Sequence, residues 1–266
     1  MSSKDLIELK KITPKKILKT IKNDEGFRPE NFGIKTNMKG SGMTAIIVGT
    51  GLPEHKSIKE FQDIEVLAGD CKTPDDKVGH STMMTGILSG DKLSPIKGLI
   101  PSASMIHAKA FTDILLTDYA TVVAALLLSS IKKADVVLLP FPIEIEDDLI
   151  KESIEKCREN GTVIISAKPK KGIRKLKTAY PELIFVEKKQ SETFRLGYKS
   201  QVLNVALPKT KTYSTYLDNV YAEIPKDLLA LSVAGGLTLL AKQSVKKSGK
   251  EATLEEIMNK AIDMSL

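Results

Sequence analysis

The feature that most constrains this chain is the form of its apolar runs. Thr44-Ala-Ile-Ile-Val48, Ala134-Asp-Val-Val-Leu-Leu139 and Thr162-Val-Ile-Ile-Ser166 are short and continuous, not alternating. A strand with one wet face alternates with a period of two residues, whereas a strand covered on both faces does not. Ile64–Leu67, Ser104–Ala110, Leu183–Glu187 and Val202–Leu207 read the same way. Stretches with helical character separate them: His80–Leu88, Tyr119–Ile131, Glu144–Asn160 and Leu228–Lys246, the third closed by Asn160-Gly161. Thr253-Leu-Glu-Glu256 opens a last helix with a capping-box pattern. Buried strands joined through helices predict an α/β fold, a three-layer, doubly wound, mostly parallel sheet.

The chain has 266 residues, 42% of them hydrophobic, with no Trp and only 5% aromatics. Aliphatic side chains therefore have to fill the core. No apolar run reaches the length of about 18 residues that a membrane span needs, so no membrane insertion is expected. No apolar stretch near Met1 has the length of a signal peptide. Cys71 and Cys157 are too few for a disulfide framework, and reduced thiols in a cytoplasmic protein are the expectation. Residues 1–40 are basic and polar, with a weak helical pattern (Ile12, Ile17, Leu18, Ile21) after Pro14. They read as an N-terminal segment that packs on, or leads into, a domain of residues 41–266.

The net charge is +7, and lysines concentrate in residues 1–22 and in Lys168–Lys177. Lys170, Lys171, Arg174 and Lys175 would give weak, sequence-independent attraction for nucleic acid or an anionic surface. A solvated face is the plainer reading, because no nucleic-acid motif accompanies the charge.

Three segments carry a resemblance. Gly79-His80-Ser-Thr-Met-Met-Thr-Gly86 is followed by Lys97-Gly-Leu-Ile-Pro-Ser-Ala103, and Val233-Ala-Gly-Gly-Leu-Thr-Leu-Leu-Ala241 comes late. In that order they resemble the histidine motif, the Pro-Ser-Ala segment and the nucleophile helix of the subtilisin-like serine proteases. The resemblance runs from about residue 42 to the end of the chain. It places the family's general base on His80, and it implies that the other catalytic positions are broken. The aspartate that orients the base falls on Gly49 of Ile47-Val-Gly-Thr-Gly51. The oxyanion-binding Asn falls on Pro169, and the nucleophilic serine on Asp227, with Ser232 as a competing register.

The strand that pairs with substrate in the family corresponds to Asp135–Ile143. There Pro140 and Pro142 remove amide donors and Phe141 adds bulk. Hydrolysis by the family's mechanism needs nucleophile, base, orienter and oxyanion donor together. The expectation is therefore an inert scaffold acting as a peptide- or protein-binding, regulatory or structural module, with an atypical serine-type peptidase using His80 in a rearranged site as the alternative. On this alignment His80 and Asp227 would face each other, the carboxylate raising the imidazole pKa in a plain salt bridge. His107 reads as a core residue and His55 as a surface one. No metal or other cofactor is expected: two ligands are too few for zinc or iron, and Ser89–Pro95 offers a single carboxylate, Asp91, for calcium.

Overall fold

The computed structural model describes residues 6–58, 63–68, 71, 73–91, 93–169, 173–188, 193–198, 201–207, 211–249 and 252–265. In chain order the first elements are β1 (Leu6–Glu8), β2 (Ile17–Leu18), β3 (Thr44–Gly49), β4 (Asp63–Val66), α1 (His80–Ser89) and β5 (Ser104–Lys109). Then come β6 (Leu116–Asp118), α2 (Tyr119–Ile131), β7 (Val136–Leu139), α3 (Asp148–Glu159), β8 (Val163–Ala167) and α4 (Ile173–Ala179). The chain continues through β9 (Leu183–Lys188), β10 (Thr193–Tyr198), β11 (Gln201–Ala206), β12 (Tyr213–Thr215) and β13 (Tyr221–Glu223). It closes with α5 (Lys226–Lys247) and α6 (Leu254–Met264).

The apolar runs become the centre of an eight-stranded sheet in the order β11-β10-β9-β8-β7-β3-β5-β4. From β9 to β4 every neighbouring pair is parallel, and β10 and β11 add an antiparallel edge. Successive side chains point to opposite faces, and both faces are covered, which is why the runs are continuous. Ile47, Leu138, Ile165 and Ile184 join one core with residues of α1, α5 and α6. Ile46, Val137, Leu139 and Ile164 join a second core with residues of α2 and α3. The protein is thus an α/β layered structure. Helix starts follow side-chain caps where these exist: Asp118 accepts from the Thr121 amide and Asp147 from the Ile150 amide. The cap at Asp147 starts α3 four residues later than the sequence pattern suggests.

Gly235 sits in the middle of α5, where glycine costs about 1 kcal/mol relative to alanine. Close packing on the sheet explains it, since a β-carbon there would lie 2.5 Å from a Leu138 methyl. By length and composition α5 passes the test for a membrane-crossing helix, but 94% of its apolar window is buried inside the protein. It is the central helix of one core layer.

The N-terminal segment departs from expectation. Residues 12–21 are not helical. Instead β1 pairs with β6 and β2 pairs with β13, both antiparallel. Ile7 and Leu9 are buried in the core under α2, while Ile12, Phe27, Phe32 and Ile34 enter the core under α5. Tertiary pairing and the burial of apolar residues on opposite sides override a weak local periodicity. Residues 9–15 therefore form a strap held at both ends.

Candidate functional site

The strap crosses the carboxyl ends of the parallel strands and walls one side of a cleft of about 990 Å3. The order of the sheet reverses around β3, whose neighbours are β5 and β7. Clefts of open α/β sheets form at the carboxyl ends of the strands near such a reversal. Pro140 after β7, Ala167, Lys168 and Pro169 at the end of β8, and the first turns of α5 form the other walls. His80, the first residue of α1, lines it as well. His80, Pro140, Pro169 and Asp227, far apart in sequence, thus meet in one cavity.

The local frame of His80 rests on a carboxylate that the sequence reading missed. Gly79 occupies the N-cap of α1 in a left-handed conformation (φ 89°) and supplies no side-chain cap. Asp76 does that work from within the preceding turn. Its Oδ1 accepts from the amides of Val78 and Gly79, at 3.0 and 2.8 Å, and from the Thr50 hydroxyl at 2.8 Å. Its Oδ2 accepts from the Thr82 amide at 2.8 Å and the Thr82 hydroxyl at 2.7 Å. A buried carboxylate at a helix N-terminus is stabilised by such donors and by the helix dipole. A glycine cap preceded three residues earlier by an aspartate was the available signal.

His80 is buried, and its Nε2 lies 2.7 Å from the Lys10 carbonyl of the strap. A carbonyl only accepts, so Nε2 carries the proton and Nδ1 is the bare nitrogen. Nδ1 is buried without a hydrogen-bond partner. In a serine-protease triad the roles are reversed, with Nδ1–H held by a carboxylate and Nε2 free to take a proton. Burial holds the His80 imidazole below its ordinary range, outweighing the Lys10 carbonyl and the Asp76 charge.

The expected His80–Asp227 salt bridge does not form. Asp227 is exposed in the first turn of α5, whereas the donor nitrogen of His80 is taken by Lys10 and its other nitrogen is enclosed. The expected rise in the imidazole pKa is correspondingly a fall. Gly49 ends β3, and Ser81 fills the space beside it: a β-carbon on Gly49 would lie 2.4 Å from the Ser81 Oγ. That hydroxyl accepts from the Thr50 amide at 2.9 Å. An aspartate at position 49 would therefore force the Ser81 hydroxyl out of its place.

Ser232 is fully buried inside α5, where its hydroxyl donates to the Leu228 carbonyl at 2.8 Å. It does not line the cleft, although Ala230 and Leu231 do. Phe141, expected to add bulk at the substrate-pairing strand of the cleft, instead turns into the core under α2 and packs edge-on to Phe111 at 5.0 Å. Pro142 is half-buried and lies off the cleft lining.

His55, expected on the surface, is buried. Its Nε2 donates to the Val220 carbonyl at 3.0 Å, its Nδ1 accepts from the Ser57 amide at 2.9 Å, and burial pushes its pKa down to about 4. His107 lies inside β5, also pushed down by burial to about 4.

Neither Cys71 nor Cys157 forms a disulfide among the described residues. Burial pushes the Cys157 thiol up to about 12, which removes it as a nucleophile. Among the described residues no group of three His, Cys, Asp or Glu comes together as a metal site. Of the basic cluster, Lys170 and Lys171 lie outside the described residues, as does the Arg174 side chain, and Lys175 pairs with Glu146 at 3.1 Å. No protein-family model and no curated protein matches this chain.

Proposed function

We propose that this chain is a catalytically inactive protein on a subtilisin-like scaffold, acting as a peptide- or protein-binding module. One observation carries the reading. The cleft gathers the positions that the motif resemblance assigns to base, substrate strand, oxyanion site and nucleophile, yet among its described lining residues there is no serine or cysteine for the base to activate. Among the described residues that line it there is no thiol, and the sole hydroxyl is that of Thr13 on the strap. The imidazole meanwhile donates from the nitrogen that would have to accept. Binding is supported by the strap itself: one wall of the cleft is already an extended polypeptide whose Lys10 carbonyl is bound by His80.

Two measurements test this. Incubation with casein and with a fluorophosphonate probe is expected to give no cleavage and no labelled residue. A labelled serine, or cleavage lost on His80→Ala, would overturn the inactivity. A peptide array is expected to retain a subset of extended sequences. Ala167→Trp, which fills the cleft from the end of β8, should weaken that retention about tenfold. Retention of nothing by the unaltered protein overturns the binding role.

A further inference from the structure

The proposed binding role leaves open what chemistry the cleft selects. Its floor is apolar: Leu9, Ile12, Val186, Ile224 and Leu231 are buried and line it. Its rim is cationic. Lys10, Lys11 and Lys15 line it from the strap and are exposed, whereas Lys168 and Lys226 on the opposite side are half-buried and engaged in contacts of their own. Against the three strap lysines stand two carboxylates among the described lining residues, Glu223 and Asp227. Glu223 is already neutralised by Lys211 at 3.0 Å. A cleft lined by one sign of charge over low-dielectric walls concentrates ligands of the opposite sign.

We infer that the cleft takes an acidic peptide: an extended segment of a partner protein with apolar side chains for the floor and Asp or Glu side chains for the lysines of the strap. This rests on the peptide-binding reading and adds its specificity. Single-stranded nucleic acid fits less well. Such sites pair a basic groove with aromatic stacking platforms, and among the described residues lining this cleft there is no Phe, Tyr or Trp, while the His80 ring is buried.

The test is fluorescence anisotropy with three labelled peptides of one apolar pattern, differing only in whether the intervening residues are Glu, Gln or Lys. The Glu peptide is expected to bind about tenfold or more tighter than the Gln peptide at low salt, with the gap narrowing as salt rises. Neutralising the strap (Lys10→Gln, Lys11→Gln and Lys15→Gln together) should remove most of that preference while thermal unfolding stays unchanged. Asp227→Lys, a change at an exposed position, should strengthen the Glu peptide several-fold. If the Gln peptide binds as tightly as the Glu peptide, acidic selection is overturned and peptide binding stands. If none of the three binds, both readings fall. If an oligonucleotide or polyphosphate displaces the Glu peptide equally well whatever its apolar residues, the cleft is a general polyanion surface and the inference is wrong.

Discussion

The two ends of the parallel sheet are each organised around a buried aspartate, and they treat it differently. At the amino ends of β3 and β7, Asp135 is ion-paired with Lys242 at 2.9 Å and Lys246 at 2.7 Å, and it accepts from the Thr44 amide at 2.9 Å. Lys242 also donates to the Gly161 carbonyl at 2.6 Å, ahead of β8. Charge there is matched by charge and the end is closed. At the carboxyl ends, Asp76 is satisfied by amides and hydroxyls alone. Beside it stands His80 with a nitrogen that no described residue satisfies, under a strap and over a cleft. One end fixes the fold, and the other leaves polar capacity unspent where a ligand can reach the neighbouring walls. Helix α5 joins them, with Asp227 at the open end and Lys242 at the closed one.

The contrast breaks most visibly at the closed end. Asp135→Ala strands a buried lysine and is expected to cost about 3–5 kcal/mol in urea unfolding. A loss near zero would mean that Lys242 escapes to water and that the closed end is not a clamp.

Acid should act on the buried histidines. His107 and His55 titrate near 4 when folded and near 6.5 when free, and His80 is lowered as well. Between those values the unfolded chain binds more protons, so stability is full above pH 6.5 and falls as pH drops toward 4. His107 alone contributes up to about 3 kcal/mol of that fall. Urea midpoints measured at pH 6.5 and pH 4 check it, and His107→Leu should flatten the difference.

Gly49→Asp sharpens the open end. The new side chain collides with Ser81, so a loss of about 1–3 kcal/mol is expected with no gain of hydrolysis. Adding Ser81→Gly should return part of that stability, since the two positions share one volume. Strictly additive effects in the double variant would deny the coupling. The smallest effect belongs to the start of α3: Asp147→Ala removes its cap and should cost about 1 kcal/mol by thermal unfolding.

Much of the framework was legible because its elements are long or uniformly buried. Tyr119–Ile131 is helical over the full predicted span, and the runs around Ile46, Val137 and Ile164 are the central strands. The Thr253–Glu256 capping box forms with both of its bonds. The short antiparallel pieces β1, β2, β6, β12 and β13 were not legible. Strands of two or three residues carry no periodicity, and their partners lie far away in sequence.

At the cleft, local motifs identified His80, Pro140, Pro169 and Asp227 as candidates, and all four line it. The environment of each was not legible. The tautomer of His80 depends on a carbonyl seventy residues away. Phe141 and Pro140 are neighbours just past the end of β7 that part ways, one into the core under α2 and the other into the cleft lining.

By itself the sequence determined the layering: aliphatic runs without alternation require a sheet buried on both sides, and amphipathic or apolar helices must supply the cover. Only the tertiary structure decided that the basic N-terminal residues form a strap, that Ser81 occupies the room beside Gly49, and that Asp76 caps the helix of His80. The physical reason is range. Burial of a run is written in adjacent residues, whereas hydrogen-bond partners and shared volume are set by segments that meet only when the chain has folded.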